Sequence, residues 1–378
     1  MAYTAIDDPS EFFQTALWTG TSDDSTKTVT NDGNSDLQPD WLWIKARSGT
    51  YGTRDHAMYD STRGATKRLE SSATDAEATS DSNNTFNSDG FTLTANYSIN
   101  GPNTNHVGWQ WKINGGTTAT NNAGSNGATL GSVYQVNNTM GVSIGTYTGD
   151  GSDRDIYTGL SASGRHNEPD MVWVKNRSSG STNWAVGLHY NYHAVAARHL
   201  SLNNTDGGDT VGGNSGEHQQ GAANVYNRGV GLFEVTSGGA GDNDTHANGD
   251  DYVFYAFRQI QGFSKIGSFT TDGQADGPFI YTGFKPAWVM TKMLNYDGDY
   301  WWIVDNKRDT TNGNPRKNAI RANDSAAENN GLFNVHFHSN GFKCVDSGGQ
   351  NIDGYKVLYM AFAQRPFVTS EGVPTTAF

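Results

Sequence analysis

The sequence is poor in the residues that build covalent cross-links and soft metal sites. Of its 378 residues only Cys344 is a cysteine, which excludes an intramolecular disulfide and a cysteine-based zinc site. One thiol fits synthesis in a reducing cytoplasm. The chain also has no run that approaches 18 apolar residues, so we expect no transmembrane helix. Its first residues lack the basic and apolar regions of a signal peptide, so if the protein acts outside a cell, we expect it to leave by lysis or inside a larger particle.

Charge is also scarce, and positive charge most of all. Charged residues make up 17% of the chain, and 26 Lys and Arg against 39 Asp and Glu give a net charge of −13. A phosphate backbone requires clustered cations, and anionic membranes repel an acidic chain. We therefore expect no nucleic-acid partner and no membrane insertion.

The abundant residues are glycine and the aromatics. The chain has 46 Gly, and aromatics reach 12%. Such an aromatic content excludes wholesale disorder, and the combination with many turn-forming residues favours short strands over helices. Residues 61–69, 71–80 and 192–200 are the candidates for short helices, although none has both an apolar stripe and caps.

One motif recurs at domain-scale spacing. Residues 39–45 (PDWLWIK) return as residues 169–175 (PDMVWVK) and 286–292 (PAWVMTK). Each unit closes on an aromatic alternation, at residues 107–112, 253–258 and 358–363. The pattern predicts three tandem repeats, at 1–118, 119–260 and 261–378, and the second carries a polar insertion around 203–227. Each predicted strand is short and bounded by turn residues, so we predict an all-β protein of three antiparallel β-sandwich domains, jelly-roll or lectin-like, with few short helices.

No catalytic motif is present, so we expect no catalytic, cofactor-binding or metal residues. Cys344 lies in a predicted strand, where a lone cysteine is typically a small buried hydrophobe. The pair His336 and His338 can chelate a metal only with a third ligand. Asp-rich loops at 150–155 and 242–244 offer oxygen donors for Ca²⁺ but lack the final Glu of an EF-hand.

The aromatic residues divide into two groups. Those that recur with the repeat are predicted to lie in the core: Trp41, Trp43, Trp173 and Trp288. Four others are less tied to the repeat and are candidate contacts to a ligand or partner, because exposed aromatics stack on sugars and anchor interfaces. These are Trp18, Tyr296, Trp301 and Trp302.

Several longer strings resemble a family encoded by marine tailed bacteriophages. They are IDDPS at 6–10, FFQTALWTG at 12–20, TNDGNSDLQPD at 30–40, GPFIYTGFKPAWVM at 277–290, DNKRD at 305–309 and LYMAFAQRPF at 358–367. Members of that family are virion structural or tail-associated proteins that resemble concanavalin-like β-sandwich modules. The resemblance covers almost the whole chain and transfers no catalytic residue.

The resemblance implies a non-enzymatic virion protein, assembled in the host cytoplasm and exposed on the particle. The first interpretation is a tail fibre, spike or appendage component that contacts other virion proteins and a host-surface glycan or protein. The alternative in the same class is a capsid decoration protein, and a homo-oligomer fits either role. The alternative of another class is a polysaccharide depolymerase, which would need two close carboxylates in a cleft.

Overall fold

The computed structural model describes residues 3–21, 25–79, 84–161, 168–189, 200–207, 224–236, 242–309 and 314–375. Over these residues the named strands pair in antiparallel ladders, and the helices are short: α1 (Tyr97–Asn100), α2 (Asp242–Thr245) and two single 3₁₀ turns (Pro9–Glu11 and Gly349–Asn351). The predicted all-β fold of β-sandwich type is confirmed.

The first repeat folds as a large sheet covered by a small one. Its strands are β1 (Phe13–Thr19), β2 (Lys27–Val29), β3 (Trp41–Gly49), β4 (Ala57–Asp60), β5 (Gly64–Leu69), β6 (Ala78–Thr79), β7 (Thr85–Phe86), β8 (Phe91–Leu93) and β9 (Thr104–Trp111). The large sheet has the order β1-β9-β3-β4-β5-β6 and the small sheet β2-β8-β7. Alternate residues of β3, Leu42 and Ile44, pack with Phe91 and Leu93 of the small sheet.

The second repeat has the same plan. Its strands are β10 (Ala119–Asn121), β11 (Ser132–Asn137), β12 (Val142–Thr148), β13 (Arg154–Tyr157), β14 (Met171–Asn176), β15 (Ala185–Leu188), β16 (Leu200–Ser201), β17 (Asn224–Arg228), β18 (Leu232–Thr236) and β19 (Asp251–Phe257). They form the sheets β10-β11-β12-β19-β14-β15-β16 and β13-β18-β17. Val172 and Val174 of β14 face Phe233 and Val235 of the small sheet.

In the third repeat the two layers are continuous. Its strands are β20 (Ser264–Thr270), β21 (Phe279–Tyr281), β22 (Phe284–Met293), β23 (Trp302–Asp305), β24 (Arg316–Arg321), β25 (Asn329–His338), β26 (Gly341–Cys344) and β27 (Lys356–Pro366). Their order is β20-β27-β22-β23-β24-β25-β26-β21. The sheet passes from one layer to the other at the β24–β25 pair, whose register shifts between Arg316 and Asn318.

Two of the candidate helices are wrong in the described residues. Residues 61–69 form a turn followed by β5, and residues 71–79 are an irregular connection that ends in β6. Strand pairing with β4 gives the backbone of β5 its hydrogen-bond partners, so a weak local helical tendency is overridden. The third candidate, 192–200, lies outside the described residues except for Leu200, which begins β16.

The recurring motif supplies one strand to each large sheet, and the opposite face of that strand enters a core shared by all three repeats. Trp41 and Trp43 of β3, Trp173 of β14 and Trp288 of β22 are buried there, as the sequence predicted. The Trp41 ring lies 3.9 Å from that of Trp111 and 5.9 Å from that of Trp173. Because the strands are buried on both faces, their sequences carry large residues at consecutive positions. The division into three domains stays a prediction. The first and second repeats each have a core between their own two sheets, and a further core is shared by all three repeats.

The last residue of each motif, a buried lysine, joins its repeat to a neighbouring one. Each ammonium group donates to a backbone carbonyl of its own repeat and to one of a different repeat, and the direction of this contact is the same at all three junctions. The cross-repeat bonds are Lys175 to Thr74 O (3.0 Å), Lys292 to Thr205 O (3.0 Å) and Lys45 to Ser325 O (3.1 Å). The second repeat therefore contacts the first, the third contacts the second, and the first contacts the third. This is a head-to-tail arrangement that closes into a ring.

A second set of hydrogen bonds connects the repeats in the same order. In each of them a side-chain ring nitrogen donates to a backbone carbonyl of another repeat. Trp184 donates to Glu70 O at 2.8 Å and Trp301 donates to Ser201 O at 3.0 Å. In the first repeat the equivalent residue is His56, whose Nε2 lies 2.9 Å from Arg321 O. Because His56 Nδ1 accepts the indole N–H of Trp43, its Nε2 carries the proton and donates.

Two of the junctions also contain a buried ion cluster. At the junction of the first and third repeats, Arg308 donates to Asp305 and to Glu328, and Glu328 is also paired with Arg47. At the junction of the first and second repeats the equivalent residues are Arg63, Asp60, Glu77 and Arg177. In both clusters a carboxylate of one repeat holds an arginine of another, which fixes the rotation of the repeats against each other.

The buried lysines predict a pH dependence of stability. Burial lowers the pKa of Lys45, Lys175 and Lys292 to about 8 from an ordinary 10.5. Between these values the unfolded chain binds more protons than the folded one, so the free energy of unfolding should rise as the pH rises through this window. Replacing Lys45 with Met removes one contribution and should flatten the rise, which urea denaturation across the window measures.

The comparison with the Lys45→Met variant separates the lysine effect from other groups. Burial raises the pKa of Cys344 to about 12. This lowers the free energy of unfolding as the pH rises above 9, but it does so equally in the wild type and in the variant. Equal pH dependence in the wild type and the variant would contradict the prediction.

Candidate functional site

A polar cleft lies where the N-terminal segment meets the third repeat. It encloses about 180 Å³ and is lined by residues of the 3₁₀ turn, β1, the 32–34 loop, the β23–β24 connection and the end of β27. The lining offers carboxylates, amides and cations, with few apolar atoms beyond Phe13, Ala287 and Ala363. This mixture of hydrogen-bond donors and acceptors suits a hydroxyl-rich ligand.

The N-terminal wall of the cleft is preorganised by Asp8. Its carboxylate caps the 3₁₀ turn, accepting the Ser10 N–H at 3.0 Å and the Ser10 hydroxyl at 2.7 Å, and it accepts the Ser35 hydroxyl at 2.8 Å. Burial alone raises the pKa of Asp8, but these hydrogen bonds outweigh it and lower the pKa. Asp8 is therefore held as an ionised structural acceptor.

Gln14 and Gly33 fix the position of the neighbouring loop. The Gln14 side chain donates to the carbonyls of Ser10 and Ser35 and accepts the Gly33 N–H at 3.0 Å. A Cβ atom at position 33 would lie 2.5 Å from the Gln14 amide carbon, so a larger residue there would have to displace the Gln14 side chain. The cleft wall is thus built from satisfied polar groups on short turns.

An exposed ion pair joins the two walls of the cleft. Lys307 of the third repeat is paired with Asp32 of the 32–34 loop at 2.8 Å, and both side chains are exposed. Arg365, at the end of β27, also lines the cleft and is exposed.

Three of the four aromatic residues proposed as contacts lie in the interior. Trp18 stacks on His106 and donates to Ile99 O, Trp301 donates to Ser201 O, and Trp302 donates to Asp299 at 3.1 Å. Their indole N–H groups therefore have partners within the chain, and only Tyr296, at 38% exposure, presents its ring to solvent. The structure does not bring the four together, and a contact role for them stays a prediction.

Sequence reasoning missed a different pair of exposed aromatics. Phe279 and Tyr281 alternate on β21, with 46% and 49% of their surfaces exposed. Phe279 lies 5.7 Å from the ring of His338, and Lys265 lies over the ring of Tyr281. The alternation along residues 279–281 could have predicted this exposure. If Ile280 is buried, the side chains on either side of it in the strand must point outward.

The residues considered as metal ligands do not assemble a centre in the described part of the chain. No group of three or more His, Cys, Asp or Glu positioned to hold an ion occurs among the described residues. In the 150–155 loop, Asp150 is paired with Arg154 at 2.8 Å. The rings of His336 and His338 are 5.9 Å apart, and Cys344 is buried in β26 as predicted.

No helix in the described residues is both long and apolar enough to cross a membrane. Comparison with curated proteins and with solved structures finds no match for this chain. A family model described as a domain of unknown function (DUF7483) matches residues 8–366, which include every strand of the ring. The chain therefore belongs to the DUF7483 family.

Proposed function

We propose that the protein is a non-enzymatic structural component of a bacteriophage virion. It is exposed on the particle, in a tail fibre, spike or similar appendage, and contacts a host-surface glycan or protein. The observation that carries this proposal is the closed ring, in which three β-sandwiches share one aromatic core and are locked by buried lysines. Such a platform is rigid, and it presents its small sheets and turns outward for contacts.

The sequence and the cleft support the same proposal. The strings that resemble the marine phage family lie near both ends of the chain, from residues 6–20 to residues 358–367. The cleft between the first and third repeats has the polar lining that a glycan requires. Partners are accordingly other virion proteins and a molecule of the host surface.

One observation favours a decoration protein of the capsid as a second candidate. The equivalent contacts of the three repeats give a single chain an approximate threefold arrangement. A capsid lattice offers threefold positions on which such a chain can sit without first forming a trimer.

Labelling on intact particles tests both candidates. An antibody fragment against the protein, imaged by electron microscopy, should mark the tail if the first candidate is right. Label spread over the head would instead support decoration. A protein that is absent from purified particles would refute both and favour a soluble depolymerase.

A further inference from the structure

We propose that Lys285, Arg316 and Arg365 form a binding site for the anionic group of an acidic glycan. The site lies in the third repeat, where β22, β24 and β27 begin or end. This inference rests on the proposed function and names the class of glycan.

Most described arginines of this acidic chain are neutralised by a carboxylate. Their ion pairs range from the buried junction clusters to exposed pairs on the surface. They are Arg47, Arg63, Arg68, Arg154, Arg177, Arg308 and Arg321. The described arginine side chains without such a pair are Arg54, Arg258, Arg316 and Arg365. The last two differ from the others because they lie beside Lys285, which also has no ion pair with a described carboxylate.

The register of the sheet places two of these cations together. Lys285 on β22 lies directly opposite Arg365 on β27, and like charges directly opposite one another destabilise an antiparallel pair. Burial, followed by the charges of Arg316 and Arg365, lowers the pKa of Lys285. Lys285 therefore lies close enough to both arginines to be repelled by them.

Arg316 adds a buried donor without a partner. The residue is 7% exposed, and its Nε and Nη1 atoms are buried without a hydrogen-bond partner. Its guanidinium carbon lies 5.8 Å from the centre of the Phe337 ring. The neighbouring carboxylate Asp309 accepts the backbone N–H of Lys317 at 3.2 Å and forms no ion pair with Arg316. Arg316 therefore adds to the site a positive charge that no described carboxylate pairs with and whose buried donors are unsatisfied, which is costly.

The ligand chemistry follows from the donors and their surroundings. Guanidinium groups bind carboxylate, sulfate and phosphate through paired N–H donors. Arg365 also lines the cleft that contains Asn34 and Asn306, whose amides suit sugar hydroxyls. The net charge of −13 repels long polyanions, so an isolated acidic group on a sugar fits better than a nucleic acid.

Titration calorimetry of the full chain with three trisaccharides tests the proposal. The probes are tri-galacturonate, a sulfated galactotriose and neutral galactotriose. We expect at least one acidic trisaccharide to bind more tightly than the neutral one, and the preferred probe identifies carboxylate or sulfate as the anion. Arg365→Gln should weaken that binding by roughly tenfold. Because Arg365 is exposed, this variant should fold, and Lys285→Gln provides a second one.

A matched control and a stability measurement separate binding from structure. Arg54→Gln makes the same change in charge beside Tyr51 and Tyr97 of the first repeat and should leave binding unchanged. Without ligand, Arg365→Gln should melt at the same or a higher temperature, because it relieves repulsion; a lower melting temperature would indicate a structural role and overturn the proposal.

Three binding results would also overturn it: no acidic trisaccharide binds better than galactotriose, the variants bind as the wild type does, or a hexathymidylate binds more tightly than either acidic sugar. These failures are distinguishable from failure of the proposed function. A protein found on the virion that lacks this site would still be a virion component.

Discussion

Replacing Asp305 with Ala should lower the free energy of unfolding by about 3–5 kcal/mol. The Asp305 carboxylate is fully buried and accepts Arg308 Nε at 2.6 Å and the Trp109 indole N–H at 3.0 Å. Burial raises its pKa, but the Arg308 charge and the hydrogen bonds outweigh this and lower it. Without the Asp305 carboxylate, the buried Arg308 keeps only Glu328 as a counter-charge. Trp109 of the first repeat also loses its hydrogen-bond acceptor in the third repeat.

Urea denaturation at neutral pH measures the effect, and the same chain supplies a control. Asp32→Ala removes a carboxylate from the exposed pair with Lys307, and exposed pairs contribute less than about 1 kcal/mol. Asp305→Ala should therefore lower the free energy of unfolding much more than Asp32→Ala does. Similar losses would show that the buried cluster does not hold the first and third repeats together.

Replacing Trp41 with Ala should destabilise all three repeats together. Trp41 is fully buried, and its ring lies within 6 Å of Trp111 in its own repeat and of Trp173 and Tyr255 in the second. Removing a buried tryptophan costs about 3–5 kcal/mol through lost burial and the cavity that remains. Because the core is shared, we expect that loss to apply to one cooperative transition of the whole ring.

Scanning calorimetry distinguishes a shared core from separate domains. The wild type should give one transition, and Trp41→Ala should move all of it to a lower temperature. Leu17→Ala, a change at a position that is 39% exposed, should shift it little. A variant profile in which one component moves and two stay in place would support three independent domains.

The fold class could be predicted because its signals are local. Leu42 and Ile44 alternate with Trp41 and Trp43, and turn residues bound the strand, so the pattern of β3 is readable in the sequence. The same alternation shows that both faces are buried. It does not show that one face packs against the strand's own small sheet and the other against two different repeats.

The contacts between repeats could not be predicted, because they depend on how the sandwiches are placed. Lys45 recurs in the motif, but its acceptor in the third repeat, Ser325, is 280 residues away. The exposure of Trp301 and Trp302 was misjudged for a related reason. A bulky aromatic residue outside the repeat motif can fill a junction between repeats as readily as it can lie on a surface. Trp301 is buried at such a junction, where it donates a hydrogen bond to Ser201 O.

The closed ring has a consequence for how the protein can diversify. In a homotrimer every substitution appears three times, so a residue that suits one contact is imposed on the other two. Here one chain supplies all three positions, and a substitution appears once. The third repeat can therefore carry Phe279, Tyr281 and an unpaired group of cations while the first repeat places Lys27, Thr28 and Thr92 on its corresponding small sheet. A single chain with three repeats can therefore change the exposed surface of one repeat while the shared core, and the stability it provides, stays the same.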